Sequence, residues 1–257
     1  MELTNRIAVI TGGSGGIGRA MAKAFLAEGA RGIVLADLNA DAVATTAEEL
    51  GVDGLACDVT NEQDITDLTN HALEKYGQVD LFCSNAGAGG EGLLTDATNE
   101  VWQKQWDLHL MSHLYAARAV LPSMLERGEG YLMNTASAAG LLAAIGSGPY
   151  TVTKAAAVKF AEFVSITHGD QGIRVSVLCP QGVNTAMAPR SLGDGQTDGI
   201  IEPEDLAQVV VETIREERFY VLPHPEVEEY VRRKGDNIDR WLHGMRRLRA
   251  NAQEDAE

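Results

Sequence analysis

Short runs of Val, Ile and Leu alternate along this chain with longer stretches in which apolar residues recur every three or four positions. The runs Ile7–Ile10, Gly32–Ala36, Gly54–Cys57, Val79–Ser84, Tyr131–Thr135, Val175–Leu178 and Phe219–Leu222 predict strands. Helical periodicity fills 16–28, 39–50, 61–76, 98–127, 150–168 and 203–217. Strands that are apolar throughout are buried on both faces, and strict alternation with helices means parallel strands joined by crossovers. The pattern predicts an α/β fold: a doubly wound, mostly parallel seven-stranded sheet with helices on both faces. No internal repeat, low-complexity tract or linker divides the chain, so one domain is expected over 1–257.

Two stretches depart from the alternation. Residues 188–202 carry three glycines and no periodic pattern after the sixth strand. A loop there is either a mobile substrate lid at the carboxyl edge of the sheet or a plain surface loop. Beyond the last strand, Val227, Tyr230, Val231, Lys234, Ile238, Trp241, Leu242, Met245 and Leu248 fall at helical spacing, predicting one amphipathic helix over 224–250.

The first strand runs into Thr11-Gly12-Gly13-Ser14-Gly15-Gly16-Ile17-Gly18, where a helix begins. Glycines let backbone approach a ligand closely, and helix N-terminal N–H groups attract phosphate. Placed between strand and helix, the run predicts a pyrophosphate cradle of the Rossmann kind. Asp37 closes the second strand. A carboxylate there accepts hydrogen bonds from the adenosine ribose and repels a 2′-phosphate, and Leu38 next to it supplies no cation, so NAD is expected rather than NADP. Asp58-Val59 ends the third strand and Asn85-Ala86-Gly87 the fourth, at the same edge. Singly, Asp58 also reads as a helix cap and Asn85 as a turn former.

Tyr150 and Lys154 stand four residues apart, one turn along a helix face, with Ser137 upstream. A phenol has a pKa of about 10, and a neighbouring ammonium favours its ionised form, which suits it to proton transfer near neutrality. In the set Thr11-Gly12-x-x-x-Gly16-x-Gly18, Asp37, Asp58-Val59, Asn85-Ala86-Gly87, Ser137, Tyr150-x-x-x-Lys154 and Pro180-Gln181-Gly182-Val183-x-Thr185, the chain resembles the short-chain dehydrogenase/reductase family from residue 6 to about 222. The resemblance implies an NAD-dependent enzyme that moves a hydride between nicotinamide and a secondary alcohol or ketone. By the same resemblance Tyr150 exchanges the proton, Lys154 supplies charge and holds the nicotinamide ribose, and Ser137 binds the substrate oxygen. Asn85–Gly87 would line the ribose side; Pro180, Gly182, Val183 and Thr185 would meet the carboxamide end and the phosphates. The family's fourth catalytic residue is an asparagine that holds a water linking the lysine to bulk solvent; here the aligned residue is His109. It either serves the same water relay, titrating near physiological pH, or fills space. His113, one turn on, is expected in subunit packing.

Leu93, Leu94, Leu141, Leu142, Ile145 and Met187 make the expected substrate surface apolar, and Arg190 is the only basic residue anticipated near it. An uncharged, largely apolar alcohol follows. A 3-oxoacyl-thioester reductase is the competing enzyme reading, set against Asp37 and the acidic surface. A catalytically inactive nucleotide sensor is the non-enzymatic one, set against the intact Ser137, Tyr150 and Lys154.

Composition narrows the partners. A formal net charge of −16 argues against nucleic acid and anionic membranes. Tyr230–Arg249 holds seven basic and two acidic residues, +5, leaving −21 on the rest. That segment is either a solvated helix face or one that docks on an acidic surface. Cys57, Cys83 and Cys179 end apolar runs without metal or redox spacing and read as reduced core residues in a cytoplasmic protein. The histidines form no ligand pair, so no metal is expected. The family resemblance implies a homotetramer or homodimer built through Val101–Arg127 and Tyr150–His168.

Overall fold

Along β1 (Ile7–Thr11) successive side chains enter opposite layers. Val9 joins one apolar core, and Ala8 and Ile10 join the other. The same split recurs in β2 (Gly32–Asp37), where Val34 and Ala36 face one way and Ile33 and Leu35 the other. Two-sided burial is the reason these strands read as unbroken apolar runs. The computed structural model describes residues 1–90, 92–187 and 198–254.

The remaining strands of the sheet are β3 (Asp53–Ala56), β4 (Leu81–Ser84), β5 (Gly130–Thr135), β6 (Ile173–Leu178) and β9 (Tyr220–Val221). All seven are parallel, in the order β3-β2-β1-β4-β5-β6-β9. On one face lie α3 (Glu62–Tyr76), α5 (Ser112–Arg127) and α7 (Gly148–His168); on the other lie α1 (Gly16–Ala27), α2 (Ala40–Leu50) and α8 (Pro203–Glu216). Asn39 caps α2 by accepting from the Ala42 N–H at 3.0 Å, and Asn61 caps α3 through the Gln63 N–H at 3.0 Å. The strand order turns between β1 and β4, which opens a crevice at their carboxyl ends.

Four features differ from the pattern reading. The helix expected over 98–127 is α4 (Asn99–Trp106) and α5 joined by a π turn, Asp107–Met111. One extra residue in a turn leaves the apolar period nearly unchanged, so periodicity does not reveal it. The terminal helix expected over 224–250 is two helices, α9 (Glu226–Asp236) and α10 (Ile238–Glu254), because Asn237 between them is extended (φ −156°, ψ 96°). A short helix, α6 (Ala138–Leu141), follows β5, and two-residue strands β7 (Gly182–Val183) and β8 (Ile200–Ile201) pair outside the main sheet. Of the expected 188–202 loop, 188–197 lies outside the described residues.

The three cysteines are free and buried. Burial raises the Cys57 and Cys179 thiols to about 12, which leaves them protonated. Among the described residues no helix is long and apolar enough to cross a membrane.

Candidate active site

The crevice is a cleft of about 2280 Å³. Of the sequence-predicted site residues, all but Ser14 and His109 line it. Gly12 takes φ +64°, and a Cβ on Gly18 would collide with the Gly12 carbonyl, so the loop folds directly onto the first turn of α1. A Cβ on Gly16 would sit 2.6 Å from Thr185 Cγ2, which places the segment after β7 against the same loop. The N-terminus of α1 has no capping side chain and no acidic residue in its first turn, so its N–H groups remain for an anion. Asp37 holds the Ser14 backbone N–H (3.1 Å) and hydroxyl (2.5 Å) on Oδ2. Leu38 beside it is 73% exposed. These donors, the close backbone and the carboxylate at the end of β2 fit an adenine dinucleotide.

Two expected cofactor residues are partly committed to the fold. Asn85 Nδ2 donates to the Thr11 carbonyl (3.0 Å) and its Oδ1 accepts from Thr135 Oγ1 (3.1 Å), tying together the ends of β1, β4 and β5. Asp58 Oδ1 accepts from the Thr60 N–H (2.9 Å) and hydroxyl (2.7 Å) in a local turn, while Asn61 is the cap of α3.

Ser147 caps α7 by accepting from the Tyr150 N–H at 3.3 Å, which sets Tyr150 in the first turn and Lys154 in the second. Lys154 is 3% exposed; its Nζ donates to the Thr135 carbonyl at 3.0 Å and lies 5.6 Å from the Tyr150 ring centroid. Burial pushes this ammonium down to about 8. The Tyr150 phenol is moved above its ordinary value, because burial outweighs the opposing hydrogen bond from Ser137. The expectation of a lowered phenol is therefore reversed in this geometry. Ser137 caps α6 through the Ala139 N–H (3.1 Å), so the turn after β5 fixes its hydroxyl.

His109 sits behind Tyr150, edge to face at 5.4 Å between ring centres. Its Nε2 accepts from the Ala88 N–H (3.3 Å), so Nδ1 carries the proton and donates to Thr153 Oγ1 (3.2 Å). Burial, with Lys154 nearby, drives it down to about 2. Titration near physiological pH, anticipated from the residue type, is thus overturned by its surroundings. His113 is 1% exposed, and its Nδ1 lies 2.6 Å from Asn134 Nδ2; it is interior, not a subunit contact. Pattern reasoning missed Thr135 and Thr153, whose roles arise only when β5 and α7 meet.

On the substrate side, Leu93, Leu142, Ile145 and Met187 line the cleft, whereas Leu94 is 78% exposed and Leu141 turns its carbonyl to Lys234 Nζ (2.5 Å). Arg190 lies outside the described residues. The expectation of a wall otherwise free of bases fails: Lys104 of α4, Arg233 of α9 and Arg240, Arg247 and Arg249 of α10 line the same cleft. The terminal helices return across the carboxyl edge, and the seven-residue interval between Arg240 and Arg247 was the readable trace of that face.

The short chain dehydrogenase family model matches residues 6–194. A 1-deoxy-11-beta-hydroxypentalenate dehydrogenase of Streptomyces exfoliatus is 33% identical over 256 residues, 95% of this chain and 91% of the relative. A 3beta-hydroxysteroid dehydrogenase of Eggerthella lenta is 35% identical over 190 residues, 71% of this chain and 73% of the relative. A short-chain dehydrogenase/reductase of Burkholderia phymatum, solved in complex with NAD, superposes with a TM-score of 0.84 at 31% identity, covering 93% of this chain and 96% of that one. With the glycine loop, the buried lysine and the tyrosine assembled on one parallel sheet, the chain belongs to the short-chain dehydrogenase/reductase family of oxidoreductases.

Proposed function

We propose that this oxidoreductase uses NAD to interconvert a secondary alcohol of largely apolar body and its ketone. The observation that carries the reading is the joining of Ser137, Tyr150 and Lys154 in one cleft with the uncapped α1 terminus and Asp37. The relatives named as hydroxysteroid and hydroxypentalenate dehydrogenases, and the neighbour bound to NAD, support it. Bound nicotinamide supplies a carbon that accepts or releases hydride.

The chain's own groups hold the substrate and move the proton. Ser137 donates to the substrate oxygen as negative charge develops there. Tyr150 gives its phenolic proton during reduction and takes the hydroxyl proton during oxidation. Lys154, held by the Thr135 carbonyl, stabilises the phenolate while it remains charged. His109 is a positioning residue: neutral, it steadies the Ala88 backbone and the edge of the Tyr150 ring. Thr185 and Val183 close the cleft beside the glycine loop.

The test is NADH formation by the purified protein across secondary alcohols, with Tyr150→Phe as control. Turnover reduced at least a thousandfold in Tyr150→Phe, with NAD binding intact, is the expected outcome. Undiminished turnover in that variant would remove Tyr150 from the chemistry.

A further inference from the structure

The cleft is basic in an acidic protein. Against a net charge of −16, its lining carries six bases, Lys104, Lys154, Arg233, Arg240, Arg247 and Arg249, and three acids, Asp37, Asp58 and Asp236. Two of the acids lie on the dinucleotide side, Asp37 at the end of β2 and Asp58 just past β3. The α9–α10 wall therefore holds four arginines and one aspartate.

These arginines are not short of possible partners, since the chain has 37 acidic residues to 21 basic ones. Arg6, Arg19, Arg118, Arg174, Arg215 and Arg218 all form ion pairs. Arg233 is already held by Glu229 at 2.8 Å. Among the described residues, Arg240, Arg247 and Arg249 form none. Between them, Trp241, Met245 and Leu248 turn a half-buried apolar stripe to the same space. A wall that is apolar along its centre and cationic at its edges suits an amphipathic molecule.

Helix α9, which leads into α10, is fixed on the substrate side. Tyr230 donates to Asp198 at 2.9 Å, Gln181 donates to the other Asp198 oxygen at 2.8 Å, and Lys234 reaches the Leu141 carbonyl. Asn237 caps α10 by accepting from the Arg240 N–H at 2.9 Å, so Arg240 lies in the first turn from that anchor. The pyrophosphate has its own donors across the cleft, at the uncapped α1 terminus.

We propose that the substrate is an amphipathic hydroxy or keto acid, whose carboxylate is bound by Arg240 and whose apolar body lies along Trp241 and Met245. This deepens the dehydrogenase reading and rests on it for the placing of the reacting carbon.

The experiment uses matched probes, 10-hydroxyoctadecanoate and 4-(1-hydroxyethyl)benzoate, each as free acid and as methyl ester. Turnover is measured with NAD⁺, and binding to the NAD-loaded protein by calorimetry. A charge-assisted hydrogen bond predicts at least one acid favoured over its ester by about tenfold in kcat/KM and in Kd. Arg240→Gln should abolish that preference while leaving ester turnover and the KM for NAD⁺ in place; Arg246→Gln, off the cleft, should keep it. Equal handling of acid and ester in both assays overturns the proposal, as does a preference untouched by Arg240→Gln. A rise in the KM for NAD⁺ with acid and ester falling together would assign Arg240 to the cofactor and overturn it too. Acid-selective binding without NADH formation would sustain the anion site and refute the dehydrogenase reading instead.

Discussion

His109 and His113 make acid stability a direct probe of the site. Both are almost wholly buried, at 0% and 1% exposure, and burial beside Lys154 lowers them to about 2 and about 3. In the unfolded chain each titrates at about 6.5. Below that value the unfolded state binds protons that the folded state refuses, so stability falls with pH from 6.5 toward 3 and is complete above 6.5. At pH 5.5, one unit down, each histidine costs about 1.4 kcal/mol, and the pair about 3 kcal/mol. That is a large part of the 5–15 kcal/mol typical of a folded protein. Urea denaturation at pH 7.5 and 5.5, on the parent, His113→Gln, His109→Asn and the double variant, reads the difference between the two pH values. Each replacement should remove about 1.4 kcal/mol of that difference, whatever it does to stability at pH 7.5. A double variant with undiminished pH dependence would refute the reasoning: the histidines would then be charged in the fold, and a titrating relay through His109 would return.

Two further expectations concern the chemistry. Replacing Asp37→Ser together with Leu38→Arg should raise the NADP⁺/NAD⁺ ratio of kcat/KM about 100-fold, since a repulsion is removed and a cation added; an unmoved ratio would mean that Asp37 does not face the ribose. Burial keeps the Tyr150 phenol protonated at neutral pH, so alcohol oxidation should accelerate as pH rises from 6 toward 8 and level off there, where Lys154, lowered to about 8, begins to lose its charge, while carbonyl reduction should not accelerate. Initial rates in both directions across that range decide it, and an oxidation rate flat with pH would contradict it.

Much of this architecture was written in local chemistry. The strands β1, β2 and β6 follow from Val- and Ile-rich runs because almost every position is buried, β4 and β5 from apolar runs of other composition that are just as buried, and the cleft follows from where those runs end. What stayed hidden depends on partners distant in sequence or on single-residue changes of hydrogen bonding. The π turn at Asp107–Met111 and the break at Asn237 leave the apolar rhythm intact. Nothing near residue 85 announces that its amide is spent on Thr11 and Thr135. Histidine at 109 suggests a proton carrier by its type, and only its burial between the loop after β4 and helix α7, beside Lys154, makes it neutral. The arginines of α10 were visible as charge, but their direction was not, because one straight helix and two angled ones share the same periodicity.

The arm on either side of Asn237 also stands apart from the proton-transfer groups on the sheet and α7. The family-model match stops at residue 194, yet one wall of the cleft is made by residues 230–253, tied to Asp198 and to the Leu141 carbonyl by hydrogen bonds from Tyr230 and Lys234. Substitutions in that arm can retune what is admitted while the proton and hydride apparatus stays as it is. Exchanging residues 226–254 between relatives is then a route to new substrate ranges on an unaltered catalytic floor.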